Sequence, residues 1–292
     1  MNFRDALRTK DFVLTGHLNL AQVTDAESLL KQGEILRSSV DAVQLADNAS
    51  MKPQLSSISA AALLIPQSID PIVHFTCRDR NRIALQKDFF GAAALGVTSV
   101  MVMRGKKVPK ARERPVRNVF DTPPNELLAF INGLKNDDPP LITPDFLAGT
   151  NAVIFEPDDD WSPDSLTQKC DAGANFVQLQ LCFDMDVLRN YMARIVASKL
   201  THRACFLTAL SPIPSAEAAR SMRDNIKGAL MPDTIIGRLE NASDPETEGI
   251  NICAELLQEV AKIPGVSGAS LITLGGLETI TAAIEASGVR KS

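Results

Sequence analysis

The chain has 292 residues, of which 45% are hydrophobic and 22% are charged, and its formal net charge is −5 at pH 7. This mild negative charge argues against nucleic acid as the main partner, and the apolar content is sufficient for a large core. No apolar run approaches the length that crosses a membrane, and the first residues lack the core of a signal peptide, so we expect a soluble, cytoplasmic protein. The five cysteines include no CxxC pair, so neither a disulfide framework nor a metal site is predicted.

Apolar segments typical of strands alternate with helical patterns along the chain. Strands are predicted at residues 11–20, 41–46, 71–76, 99–103, 146–155, 176–181, 204–210 and 267–274. Helices are predicted at residues 25–36, 53–64, 82–95, 125–134, 163–172, 185–198, 232–240, 245–262 and 277–286, together with one that follows residue 215 and ends at residue 225.

This alternation specifies parallel strands joined by right-handed crossovers. Eight such units complete a closed barrel, so we predict the α/β class, a (β/α)8 TIM barrel, as a single domain over residues 1–292. A doubly wound open sheet is the alternative, and the lack of a G-x-G-x-x-G sequence after the first strand argues against it.

Polar side chains follow the predicted strands at the points where they end. The most polar exit is residues 74–82 (HFTCRDRNR), between an apolar strand and an Ala-rich helix, and the alternative interpretation is a charged surface loop that caps the helix. In a barrel of this kind all strand exits converge on one mouth, where ligands are held. The exits then supply His17, Asn19, Gln44, Asp47, His74, Thr76, Cys77, Arg104, Gly105, Lys106, Asn151, Glu156, Gln178, Gln180, Asp184, Thr208, Ser211, Ser270 and Thr273.

Two glutamines and two histidines stand out among these residues. Gln178 and Gln180 share one face of their strand because side chains alternate with a period of two. A buried amide needs hydrogen-bond partners, so the pair indicates a ring with donors and acceptors, such as a pterin, unless neighbouring strands satisfy both. His17 and His74 leave two different strands, and either can transfer protons near neutral pH; a purely structural role is the alternative.

The fourth strand opens into a basic loop. It carries Arg104, Lys106, Lys107, Lys110, Arg112, Arg114 and Arg117 against one acid, Glu113. Such a loop at a barrel mouth favours an anionic ligand, for example a diphosphate or a glutamate tail. A solvated surface loop is the alternative.

Several segments in this order resemble the methylenetetrahydrofolate reductase family. They are HFTCRDRNRIALQ (74–86), Met103-Arg104-Gly105, KCDAGANF (169–176), Gln180 with Phe183-Asp184, and Pro232-Asp233 with Ile236 and Arg238. The resemblance implies a barrel that holds FAD, reduction of the flavin by NADH or NADPH, and hydride transfer to 5,10-methylenetetrahydrofolate. It also allows a homo-oligomer.

The resemblance carries residue roles by position. Gln180 matches the pterin-binding glutamine, and we group Gln178 and Asp47 with it as binding the tetrahydrofolate substrate. His74, Arg104, Gly105 and Lys169 match positions near the flavin, and we group Thr76 and Asn151 with them as cofactor-binding residues.

Two departures from the family fall on the chemistry. His17 stands where the family has a glutamate that protonates the folate, and Lys106 stands where it has an aspartate beside the flavin. We expect a histidinium at residue 17 to donate the proton. A cation at residue 106 stabilises an anionic reduced flavin, which makes oxidation of 5-methyltetrahydrofolate relatively easier. We therefore predict both residues to be catalytic.

Three functions follow from the sequence. The first is a divergent folate oxidoreductase. The second is a non-redox protein of one-carbon metabolism that binds folate or transfers a methyl group on the same barrel; changes around residues 161–168, where the family holds the adenine dinucleotide, would leave FAD unbound. The third is an unrelated barrel enzyme that acts on an anionic metabolite.

Overall fold

Eight parallel strands form a closed barrel, in the order in which they occur in the chain. The computed structural model describes residues 1–48, 53–108, 116–134, 145–226 and 228–290. The strands are β1 (Val13–Leu18), β2 (Ala42–Leu45), β3 (Pro71–Thr76), β4 (Ser99–Met103), β5 (Leu147–Ala152), β6 (Phe176–Leu179), β7 (Cys205–Leu210) and β8 (Val266–Leu271). β8 pairs with β1, with Ser270 opposite Thr15, and this pairing closes the barrel. The predicted TIM barrel is confirmed, and its description as one domain over residues 1–292 stays a prediction.

Helices surround the barrel and connect the strands. In the described part of the chain they are α1 (Phe3–Thr9), α2 (Ala26–Arg37), α3 (Ser57–Leu64), α4 (Arg82–Ala94), α5 (Pro124–Gly133), α6 (Asp164–Asp171), α7 (Met185–Ala197), α8 (Ala216–Asn225), α9 (Asp233–Asn241), α10 (Pro245–Val260) and α11 (Glu278–Ser287). Side chains cap several of them where the sequence places Asp, Asn or Ser; Asp25, for example, accepts from the Ser28 N–H at the start of α2. None of these helices is both long and apolar enough to cross a membrane.

The first helix, α1, was not predicted from the sequence. It begins after Asn2, whose side chain accepts a hydrogen bond from the Asp5 N–H. Its apolar residues Phe3 and Ala6 are fully buried beneath the barrel. With only seven residues, this helix is too short to be stable by itself, so packing against the strands must stabilise it.

The amino-terminal end of the barrel is filled by apolar side chains, which we call the floor. The Phe3 ring meets the Phe176 ring edge to face, with centroids 5.2 Å apart. Phe176 lies so close to Gly149 that a Cβ there would be 2.2 Å from its ring. Burial of a phenylalanine side chain contributes roughly 1.5–3 kcal/mol, so the floor is a major source of stability. It consists of Phe3, Ala6, Val13, Ala42, Ile72, Met101, Phe176 and Leu207.

One buried carboxylate joins the early and late parts of the chain near the floor. Asp41 accepts hydrogen bonds from Lys10 Nζ at 2.5 Å, from the Leu14 N–H at 2.8 Å and from Arg290 Nη1 at 2.9 Å. Burial alone would raise the pKa of Asp41, but these hydrogen bonds and the charge of Arg290 outweigh it and lower the pKa. The carboxylate therefore stabilises the fold in its ionised form.

Candidate active site

A cavity of about 850 Å³ opens at the carboxyl ends of the strands. This volume lies near the upper end of the range for small-molecule sites in proteins. All the residues to which the sequence assigned a catalytic, cofactor-binding or substrate-binding role, except Lys169, line this cavity: His17, Asp47, His74, Thr76, Arg104, Gly105, Lys106, Asn151, Gln178 and Gln180. The convergence of strand exits expected for a barrel thus brings together residues that are far apart in the sequence.

Lys169 lies on α6, outside the lining of the cavity. Its Nζ donates a hydrogen bond to the backbone oxygen of Asn151 at 2.7 Å. Burial lowers the pKa of Lys169. This hydrogen bond holds the carboxyl end of β5 against α6, and direct contact of Lys169 with a cofactor stays a prediction.

Between the floor and the cavity lies a connected set of buried polar side chains, which we call the polar layer: Thr15, Gln44, His74, Gln178 and Ser270. Gln44 is at its centre. Its Nε2 donates to Thr15 Oγ1 at 2.8 Å and to Ser270 Oγ at 2.9 Å, and its Oε1 lies 2.9 Å from His74 Nε2. Such networks are stabilising when every member has a partner.

His17 lies directly above the polar layer. Its Nε2 is 3.0 Å from Ser270 Oγ and 3.4 Å from Gln178 Nε2. The His17 and His74 rings meet edge to face, with centroids 5.6 Å apart. Four strands (β1, β3, β6 and β8) therefore fix the position of this imidazole.

Both imidazoles are neutral at pH 7. Burial lowers the pKa of His17 to about 4. Burial, and then the charge that His17 would carry, lower the pKa of His74 well below its ordinary value. The surroundings of His17 thus differ from the sequence-based expectation of a histidinium, because the ring lies on an enclosed network with no carboxylate among its hydrogen-bond partners.

The two glutamines differ in how their amides are satisfied. Gln178 is 8% exposed, and its Oε1 is buried without a hydrogen-bond partner among the described residues. Gln180 follows β6; its backbone N–H donates to the Ala152 oxygen at 2.9 Å, and its side chain lines the cavity. Pairing with neighbouring strands therefore leaves the Gln178 oxygen unsatisfied, and such a group calls for a ligand or a water molecule.

The carboxylate of Asp47 is engaged by the protein itself. It accepts a hydrogen bond from the Thr76 N–H at 2.8 Å and pairs with Arg80. Burial raises the pKa of Asp47, and the charge of Arg80 acts in the opposite direction. Asp47 therefore holds the ends of β2 and β3 together, and contact with a substrate stays a prediction.

Arg78 belongs to the polar segment 74–82 that follows the third strand, but it was not predicted as a site residue. It is 2% exposed and lines the cavity. Its guanidinium donates to the backbone oxygens of Asn48 at 3.1 Å and Lys106 at 3.3 Å, and it pairs with Asp79. Arg78 thus connects the segments that follow β2, β3 and β4.

The basic side of the mouth follows β4. Arg104 lies over the Phe120 ring, 4.6 Å from its centroid, and both Arg104 and Lys106 are exposed. Gly105 between them has φ +81, and a Cβ there would be 2.4 Å from Thr76 Cγ2, so only glycine fits. The predicted Lys110, Arg112, Glu113 and Arg114 lie outside the described residues.

The cavity also contains residues that reasoning from strand exits does not find. Gln32 on α2 lines it, and within the described part of the chain the side-chain oxygens of Gln32 and Asn48 are buried without partners. Nothing in the pattern of α2 distinguishes Gln32 from a solvated polar residue. Conversely, Asp184 caps α7, and Ser211 donates to the Pro212 oxygen, so neither is part of the lining.

Comparison with known proteins identifies the family. The sequence matches the family model described as methylenetetrahydrofolate reductase over residues 35–288. The chain belongs to the methylenetetrahydrofolate reductase family. Membership supports a folate-related oxidoreductase role for the barrel. None of the curated proteins compared with the chain matches it.

Two crystal structures of tryptophan synthase from M. tuberculosis are also similar. The alignment with the open form includes 98% of the present chain and 96% of the tryptophan synthase chain, at 12% identity and a TM-score of 0.46. The alignment with the aminoacrylate-bound form includes 98% of the present chain and 97% of the tryptophan synthase chain, at 12% identity and a TM-score of 0.48. Neither similarity carries an argument about function.

Proposed function

We propose that the protein is an oxidoreductase that interconverts 5,10-methylenetetrahydrofolate and 5-methyltetrahydrofolate. The observation that carries the proposal is the unpartnered amide oxygen of Gln178, buried at the base of the cavity in a chain of this family. A pterin has ring N–H and amino donors on one edge, and it can supply the missing hydrogen bond. Because the buried Gln178 oxygen would gain a hydrogen bond from a pterin, the site favours a pterin over a ring without such a donor.

Gln180 is the second predicted contact with the pterin. It follows Gln178 on the same face of the chain and lines the same cavity. An amide offers both a donor and an acceptor, so the pair can match the alternating groups of a pterin edge. The glutamate tail of folate is anionic, and Lys106 and Arg104 supply cations at the mouth.

Members of the family generally bind FAD, and the lining has groups that suit it. Asn48 Oδ1 is buried without a partner in the described structure, Met101 and Met103 give an apolar wall, and Arg104 and Lys106 suit an anionic diphosphate. Bound flavin would carry the hydride that is transferred in the reaction, and NADH or NADPH would reduce the flavin. Lys106 would add positive charge at the site, as we expect from the sequence.

His17 is the proposed residue for proton transfer. Reduction of the methylene group adds a hydride to the bridging carbon and a proton to the nitrogen released from it, and oxidation removes both. Because the ring is neutral at pH 7, His17 acts through a ring N–H or a ring lone pair and not as a cation.

Binding of tetrahydrofolate, measured by calorimetry with and without FAD, tests the proposal together with the absorbance spectrum and NADH oxidation in the presence of methylenetetrahydrofolate. We expect Gln178→Met to weaken tetrahydrofolate binding about five- to tenfold, because a hydrogen bond to a buried group is worth about 1–1.5 kcal/mol. Gln258→Met is the matched control, since Gln258 donates to the Ser287 oxygen away from the cavity.

The outcomes separate the alternatives. Flavin absorbance with turnover in either direction supports the oxidoreductase. Tetrahydrofolate binding that flavin does not affect, without hydride transfer, supports the non-redox folate protein. Failure to bind folate and flavin contradicts both and leaves an unrelated barrel enzyme.

A further inference from the structure

We infer that Ser270 and Gln44 are positioning residues that fix His17 as the tautomer with its proton on Nδ1. The consequence for catalysis rests on the proposed function, but the tautomer itself does not. The inference follows from counting the donors and acceptors of the polar layer.

The side-chain amide of Gln44 has two N–H donors and one acceptor oxygen. Both donors are used, on Thr15 Oγ1 and on Ser270 Oγ. The oxygen faces His74 Nε2 at 2.9 Å, and because an amide oxygen only accepts, this nitrogen carries the His74 proton.

Ser270 connects Gln44 to His17. Ser270 Oγ already accepts from Gln44, so its one proton is free for another acceptor. Its neighbour at 3.0 Å is His17 Nε2. Ser270 Oγ could accept a second hydrogen bond, but its own proton would then have no acceptor among the hydrogen bonds of the described residues. The arrangement that uses this proton has His17 Nε2 as the acceptor, and a neutral imidazole that lacks a proton on Nε2 carries it on Nδ1.

Gln178 supports this direction of the hydrogen bonds, and burial makes the network strict. Gln178 Nε2 lies 3.4 Å from the same His17 Nε2, so a second donor faces the same lone pair. Thr15, Gln44 and Ser270 are fully buried, so water does not compete for their hydrogen bonds, and each unmatched group would be costly.

The consequence concerns what His17 offers to a ligand. No described residue donates to or accepts from its Nδ1 in the hydrogen bonds of the structure, whereas its Nε2 has two neighbours. His17 therefore presents an N–H, and it favours a ligand atom with a lone pair, such as a ring nitrogen or a carbonyl oxygen. In the proposed reaction its Nδ1–H would hydrogen-bond to the folate nitrogen and pass a proton to it, the ring being reprotonated from solvent through the open cavity, with Ser270 holding the opposite side of the ring.

The reverse arrangement is well defined, which makes the inference testable. Rotation of the Gln44 amide by half a turn reverses the bonds to Ser270 and His74 and places the His17 proton on Nε2. The two arrangements differ in the protonated nitrogen of both histidines, so they give different nitrogen spectra.

The experiment is a long-range ¹H–¹⁵N correlation spectrum of the full-length protein labelled with ¹⁵N-histidine, at pH 7. The three histidines are assigned with the variants His202→Gln and His74→Asn. We expect His17 protonated on Nδ1 and His74 protonated on Nε2. His17 protonated on Nε2 overturns the inference, whatever the protein catalyses.

Ser270→Ala tests the positioning role. We expect this variant to show a mixture of His17 tautomers, and turnover of methylenetetrahydrofolate to fall about tenfold with little change in KM. Ser99→Ala is the matched control, because Ser99 is equally buried in the barrel and its Oγ has no hydrogen-bond partner. A Ser270→Ala spectrum identical to that of the parent overturns the role, and the parent spectrum decides the tautomer if the variant does not fold. Absent turnover with the expected tautomer contradicts the proposed function alone.

Discussion

The lower part of the barrel interior is apolar and closed, whereas the upper part is polar and open to a cavity. The floor is sealed by α1, with Phe3 against Phe176. Above it, Thr15, Gln44 and Ser270 are just as deeply buried but are joined by hydrogen bonds to two histidines. The same strands supply the floor and the polar layer. Along a strand, the inward side chains near its start pack in the apolar floor, and those farther along form the polar groups below the cavity. Apart from Met101, which belongs to the floor and also lines the cavity, stability and ligand binding are separated along the barrel axis.

The strongest test of this separation is Phe176→Ala. The change removes the ring that fills the space over Gly149 and contacts Phe3, so we expect a loss of about 3–5 kcal/mol in the free energy of unfolding, measured with denaturant. Ile83→Ala is the control, because Ile83 is 75% exposed and should cost less than about 0.5 kcal/mol. If the folded fraction of Phe176→Ala bound tetrahydrofolate much more weakly than the parent, floor and cavity would not be separate.

A second prediction concerns Asp41. We expect Asp41→Asn to lower the free energy of unfolding by about 2 kcal/mol at pH 7, since its hydrogen bonds involve charged groups. The folded-state pKa is lowered, so the stabilisation is present above the ordinary aspartate pKa of about 4 and is lost as the pH falls through the lower value. The difference in unfolding free energy between parent and variant should therefore be constant from about pH 7 to 5 and shrink below about pH 4. A difference that grows on acidification would contradict this assignment.

The smallest expected effect is that of Lys106→Ala, at the exposed rim. One exposed charge contributes at most about 1 kcal/mol, so we expect the affinity for a polyglutamylated folate to fall by about two- to fivefold. The loss should diminish with added salt, and stability should not change. Lys107→Ala is the control, because Lys107 is the next residue but does not line the cavity. An equal loss of affinity in both variants would show that Lys106 acts only through the overall positive charge of the loop and not through a contact with the folate.

The barrel and most of the site were predictable because the signals are local. Each strand and the helix after it have their own hydrophobic pattern, and parallel closure then brings the strand ends to one mouth. His17, Gln44, Gln178 and Ser270 were found by this reasoning, although their hydrogen bonds to one another were not.

What remained hidden depends on contacts between distant parts of the chain. The seven residues of α1 become helical on the floor, and their sequence alone gives a weak signal. Asp47 pairs with Arg80, and Lys169 donates to the Asn151 oxygen. Both contacts join residues that are well separated in the sequence, so the sequence alone does not reveal them. The neutral state of His17 depends on burial, which residue identity does not reveal.

The seam between β1 and β8 has a consequence for synthesis. His17 and Ser270 are 253 residues apart in the sequence, so a nascent chain holds β1 with one unpaired edge until β8 has left the ribosome. Unpaired strand edges and exposed apolar surface promote aggregation. Chains released before β8 is complete are therefore expected as substrates for chaperones and proteases, and not as weakened enzymes.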